Sequence, residues 1–189
     1  MRKKNTKSLI ELLIQSGGLK RIKRTGWALK GIDDAESVAD HTWRMGLMIM
    51  LLAPKGLDMQ KLLEMNTVHD LGEIGVGDIK WEAGRRVIGD QRVKQRDEIA
   101  SVMRIFDGHA EGKKYISLLK EFNNQKTLEA KFLKQIDKLE MAIQAYEYQI
   151  GGHPGYKLDQ FWENAEKYLE GRELEPVFRE LQKLRNKEG

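Results

Sequence analysis

Only three prolines, Pro54, Pro154 and Pro176, interrupt this chain of 189 residues, and between its glycine clusters the apolar residues recur at intervals of three and four rather than two. That period belongs to helices and excludes a sheet-built fold. The expected class is all-α, a helical bundle in a single compact domain over residues 1–189. Leu9, Leu12 and Leu13 open a first helix that Gly17-Gly18 stops, and the stretch from Leu19 to Asp34 is basic and partly irregular. Ser37 is placed to cap a helix over 38–53 that Pro54 ends, and Asp58 to cap another over 59–72. Glycines at 72, 75, 77 and 84 make Glu73 to Asp90 a loop. Helices over 91–107 and 111–123 follow, then the longest over 127–150, which Gly151-Gly152-His153-Pro154-Gly155 terminates, and two more near 159–170 and 174–187. With 40% apolar residues, a chain of this length is expected to bury roughly 70% of its unfolded surface around one core.

Cysteine is absent, which removes disulfides, thiolate zinc sites, iron–sulfur clusters and cysteine nucleophiles together. Any bound metal must use nitrogen and oxygen. The longest apolar run, Met45 to Pro54, falls far short of the ~20 residues that cross a bilayer. Arg2-Lys3-Lys4 before Leu9-Ile10 imitates a signal peptide, but Glu11 interrupts the apolar stretch and no small-residue cleavage site follows, so the cytoplasm is the expected location. Residues 1–30 hold nine Lys or Arg against the single acid Glu11, a net +8, so with +4 overall the remainder carries −4. This basic segment either meets phosphates, on nucleic acid or on a small ligand, or is a solvated terminus.

The informative positions are polar residues on apolar helix faces. His69 follows Leu62 and Met65 at spacings of seven and four, which turns it inward beside Asp70. Asp137 interrupts the inner face of the longest helix between Leu133 and Met141, and His41 shares its face with Met45 and Met48. A buried aspartate is costly unless it is paired or bound to a cation. Each residue alone is more often a hydrogen-bonded core residue than a ligand; together, two imidazoles and two carboxylates complete a nitrogen–oxygen shell for one divalent ion. Glu73, three residues after Asp70 and four after His69, projects to the same side, where it could orient or deprotonate water, or else it is a helix-terminal acid facing solvent. Asp78 in Gly75-Val76-Gly77-Asp78 lies in a backbone that can approach a ligand closely, or is a turn residue.

His41, His69-Asp70 and Asp137, in that order, resemble the H…HD…D signature of the HD-domain metal-dependent phosphohydrolases. The longer words Glu36-Ser37-Val38-Ala39-Asp40-His41, Val68 to Glu73 with Gly77-Asp78-Ile79, and Glu129 to Glu140 resemble the 5′-deoxynucleotidase branch of that family, and the likeness runs from about Leu9 to Tyr168. The resemblance implies a helical, usually dimeric HD fold that hydrolyses deoxynucleoside 5′-monophosphates with one divalent ion, Mn, Co, Mg, Fe or Zn. It implies His41, His69, Asp70 and Asp137 as the metal ligands, Glu73 as the catalytic partner of the nucleophilic water, and Asp78 against the sugar and the leaving oxygen. Trp27 falls where a family tryptophan packs on the deoxyribose; an aromatic anchor for a loop is the other reading. An arginine precedes that tryptophan in the bacterial enzymes, whereas Gly26 does so here, leaving Arg24 to supply the charge from two residues earlier. Arg44 and Lys94 are either further phosphate partners or ordinary surface cations.

Three other functions compete with this reading. An HD enzyme could act instead on a triphosphate, a cyclic phosphodiester or a guanosine alarmone. A nucleic-acid-binding module could use the basic segment, although arginines and aromatics are not interleaved there. An HD fold without catalysis could serve as a scaffold, against which stands the presence of every ligand together with Glu73.

Overall fold

The computed structural model describes residues 6–78 and 91–187. Among them lie ten α-helices, two short 3-10 turns and no named strand. The expected loop positions Ile79, Trp81 and Gly84 and the basic residues Arg2 to Lys4 lie outside the described residues. No helix among the described residues is long and apolar enough to cross a membrane.

The caps read from the sequence set the registers of the central helices. Helix α1 spans Thr6–Ser16, a 3-10 turn follows over Gly17–Arg21, and α2 is a single turn, Thr25–Ala28. Helix α3, Val38–Leu52, starts in a capping box: Ser37 Oγ accepts from Asp40 N at 3.2 Å while the Asp40 carboxylate accepts from Ser37 N at 2.8 Å. It ends before Pro54, as expected. Helix α4, Met59–Val68, starts with Lys61 N donating to Asp58 at 2.9 Å. It stops four residues short of the expected end, and His69 to Gly72 form a turn. Glu73–Val76 is then a helical turn, α5, where a loop was expected. Gly77, at φ 79°, ends it.

Helices α6 (Gln91–Ile105), α7 (Gly112–Asn124), α8 (Leu128–Ile150), α9 (Asp159–Leu169) and α10 (Glu175–Lys187) match the expected segments within a few residues. The longest, α8, is the axis of the domain and packs against α3, α4, α7, α9 and α10. Its inward stripe, Leu133, Ile136, Leu139, Ala142 and Ala145, is fully buried with Met45 and Ile49 of α3 and Leu62 and Met65 of α4. A smaller cluster of Leu19, Val38, Leu71, Val102, Ile105 and Leu119 joins α3, α6 and α7 to the turns between them. The α4–α5 turn approaches α6 so closely that a Cβ on Gly72 would lie 2.7 Å from the backbone oxygen of Glu98, so this position requires glycine. Arg24 is drawn in by two short extended stretches: Arg24 N donates to Glu36 O at 2.9 Å and Val38 N to Ile22 O at 2.9 Å.

Candidate active site

The site forms where the inner faces of α3 and α8 meet the α4–α5 turn and the Arg24 segment. Donor atoms of His41, His69 and Asp70 all lie within 4.8 Å of one another, and Asp137 Oδ1 is 3.6 Å from His41 Nε2. His69 Nδ1 lies 2.6 Å from Asn66 O. A carbonyl can only accept, so Nδ1 carries the proton and Nε2 presents its lone pair. His41 Nδ1 faces the carboxylate Oε2 of Glu140 in the same way. Among the described residues neither Nε2 has a hydrogen-bond partner, although each faces a carboxylate: Asp70 Oδ2 is 3.2 Å from His69 Nε2. Two buried lone pairs directed at carboxylates are satisfied by a cation between them, and this donor set fits a divalent ion.

The charges around the site keep its two aspartates ionised. Burial alone would raise Asp70 and Asp137, but His69 and Arg24 hold Asp70 far below the usual carboxylate range, and Lys134, Lys138 and His41 do the same for Asp137. Burial lowers His69, and the Asp70 carboxylate more than reverses it, so the imidazole binds a proton more readily than usual. Lys134 Nζ lies 2.7 Å and Lys138 Nζ 3.4 Å from Asp137 Oδ2, leaving Oδ1 turned to His41. Burial pushes Lys138 down to about 8, partly offset by Asp137.

Arg24 reaches the acidic side of this cluster, its Nη1 3.5 Å from Asp70 Oδ2. Asp78 holds the turn that carries it: Thr25 N donates to Asp78 Oδ2 at 2.7 Å, and Thr25 Oγ1 donates to the Asp78 carbonyl. Glu73 is 1% exposed, with Oε2 free of hydrogen bonds among the described residues and Oε1 3.6 Å from Lys94 Nζ. Burial, reinforced by Asp70 and Asp78, raises its carboxyl well above the ordinary value.

Trp27 is equally enclosed at 1% exposure. Its ring packs on Phe161 with centroids 4.0 Å apart and meets Tyr148 edge-on, while its indole N–H donates to Glu36 Oε1 at 2.9 Å. This packing is that of an aromatic anchor, and it leaves little of the ring on the surface. Arg44 and Lys94 are not free surface cations. Arg44 Nε lies 3.0 Å from Glu140 Oε1 and its Nη1 2.7 Å from Glu147, whereas Lys94 bridges Glu73 and Glu98, 3.2 Å from the latter. Sequence reasoning missed Glu140, Asn66, Lys134 and Lys138 as neighbours of the ligands. Glu140 carried a readable signal, an acid between buried Leu139 and Met141, one turn beyond Asp137.

A family model described as HD domain matches residues 16–175, and the chain belongs to that family. The protein named 5′-deoxynucleotidase HDDC2 from Homo sapiens is 30% identical over 180 residues, which cover 95% of this chain and 87% of the human one. Its namesake from Dictyostelium discoideum is 34% identical over 177 residues, 87% of this chain and 90% of its own. A conserved hypothetical protein from Pyrococcus furiosus shares the fold with a TM-score of 0.75 at 33% identity, over 92% of this chain and 99% of its own. The all-helical HD fold expected from the sequence is therefore the fold observed.

Proposed function

We propose that this protein is a metal-dependent phosphohydrolase that removes the 5′-phosphate from deoxynucleoside 5′-monophosphates, giving deoxynucleoside and phosphate. The observation that carries the chemistry is the pair of bare Nε2 atoms turned to carboxylates beside the Arg24 guanidinium. The substrate class is supported by the relatives named 5′-deoxynucleotidase.

His41, His69, Asp70 and Asp137 would hold one divalent ion, for which manganese, cobalt, iron, magnesium and zinc all suit two imidazoles and two carboxylates. When bound, the ion supplies Lewis acidity toward a phosphoryl oxygen. Arg24 contributes a permanent positive charge, fixed in place by its ion pair with Asp70, to the charge that the phosphoryl group carries during transfer. Glu73 accepts a proton from the attacking water at Oε2, and burial beside Asp70 and Asp78 makes its carboxylate a stronger base than an exposed one. Asp78 holds the Thr25 turn and so fixes the reach of Arg24; we assign it as well to the sugar side of the leaving oxygen. Phosphoryl transfer depends mainly on positioning and electrostatics, which is what these groups provide. The homodimer, implied by the family resemblance, and the cytoplasmic location belong to this proposal too; light scattering tests the first and fractionation the second.

The test is phosphate release from a panel of deoxy- and ribonucleoside 5′-mono-, di- and triphosphates, with stripped protein and Mn, Co, Mg or Zn added back singly. Release from deoxy monophosphates, strictly dependent on added metal, is expected. Metal binding without hydrolysis of any nucleotide would overturn the substrate assignment.

A further inference from the structure

The imidazole of His41 is bracketed by a single helix. Asp137 Oδ1 lies 3.6 Å from its Nε2, and Glu140, one turn further along α8, faces its Nδ1 through Oε2. Both His41 and Glu140 are 0% exposed. A carboxylate so enclosed requires compensation beyond one imidazole N–H. Arg44 supplies it, with Nε 3.0 Å from Glu140 Oε1. Arg44 stands one turn beyond His41 on α3, just as Glu140 stands one turn beyond Asp137 on α8. The two helices thus cross with matched i, i+3 pairs: His41 with Arg44, and Asp137 with Glu140. The guanidinium is itself fixed from the other side by Gln144 Oε1 and Glu147 Oε2, so the Glu140 carboxylate is held at both ends.

We propose that Glu140 and Arg44 are positioning residues for His41. Glu140 accepts the Nδ1–H of His41, which fixes the tautomer and aims the Nε2 lone pair at Asp137, and Arg44 holds the Glu140 carboxylate in place. The pair thereby sets how tightly the site takes a divalent cation. A second grouping of buried candidate ligands, Glu36, His41 and Glu140, lies on this Nδ1 side. The Arg44 guanidinium, 3.8 Å from Glu36 Oε2 as well as 3.0 Å from Glu140, already provides the positive charge there. This inference rests on His41 being a metal ligand through Nε2.

The experiment uses the stripped full chain and two readouts. Titration calorimetry with manganese chloride reads affinity, and long-range 1H–15N spectra of the imidazoles read the His41 tautomer without any metal. Glu140→Ala is expected to bind manganese 10- to 100-fold more weakly and to lose the pure Nδ1–H form. Glu140→Gln keeps an acceptor but not the charge, so the tautomer persists while affinity falls roughly three- to tenfold. Glu180→Gln, which removes an exposed α10 acid paired with Lys183, leaves both readouts at the wild-type value. A Glu140→Ala protein that melts like the wild type and binds manganese within twofold of it overturns the inference. Should the alanine variant fail to fold, unchanged affinity in Glu140→Gln overturns it instead. No manganese binding by the wild type would defeat the site reading beneath it.

Discussion

The two sides of this site are built by different means. On one, His41 and Asp137 project from α3 and α8, two long helices whose inner faces form the core, and each histidine has its Nδ1 fixed by a neighbour. On the other, Arg24, Thr25 and Asp78 sit on short turns held by a few hydrogen bonds. The helical side has rigid geometry because moving a ligand means moving the core; the turn side can be re-aimed by changing a single contact. We read the first as the metal-holding half and the second as the half that meets the phosphate and the sugar.

Substitutions on the two sides should therefore separate. The largest effect is expected for Asp70→Ala, which removes a ligand that joins both halves: manganese binding falls at least 100-fold by calorimetry and phosphate release falls below detection. Glu73→Gln breaks the chemistry without touching the ion, so manganese affinity stays within about threefold while kcat drops 10²- to 10⁴-fold. Retained turnover would remove Glu73 from its role. Arg24→Ala should lower kcat/KM about 10- to 100-fold and move manganese affinity by less than about threefold through its contact with Asp70, the mirror of a helical-side variant.

A smaller effect, on stability, is expected behind the helical side. Burial first, then the neighbouring Glu140 carboxylate, pushes Glu36 up to about 7. A carboxyl raised on folding contributes most below its unfolded value, and that contribution is lost as pH rises through the folded value. Glu36→Gln imitates the protonated form. Its Tm relative to wild type should therefore climb by a few degrees between pH 5 and pH 8, measured on stripped protein; a gap independent of pH would contradict the shift. The smallest effect on catalysis is expected from Trp27→Phe. It loses the N–H to Glu36 and costs about 1 kcal/mol of stability, yet leaves the ratio of deoxy to ribo turnover within twofold. A collapsed ratio would restore the sugar contact implied by the family resemblance.

The same division explains what could be read from the chain alone. His41 and Asp137 were legible because helical period and burial coincide: an acid or imidazole at a core position of a long amphipathic helix stands out against Met45, Met48, Leu133 and Met141. Ser37, Asp58 and Thr127 made the starts of α3, α4 and α8 legible for a local reason, since a cap acts within three residues. At Glu73–Val76 a helical turn stands where a loop was expected, because the glycines beside it serve close packing. Gly72 and Gly75 let the turn and α5 lie against Glu98 and Ser101 of α6, an approach that no local pattern announces. The pairing of Arg44 with Glu140 escaped for a related reason: the two lie about a hundred residues apart in the chain, and only the crossing of α3 with α8 brings them together.

The most direct test of the account is a crystal of the stripped protein soaked in manganese and measured at the manganese absorption edge. The account predicts one anomalous peak, bounded by the Nε2 atoms of His41 and His69 and by carboxylate oxygens of Asp70 and Asp137, with His41 Nδ1 still on Glu140. A peak seated instead among Glu36, His41 Nδ1 and Glu140, or away from all these residues, would contradict it.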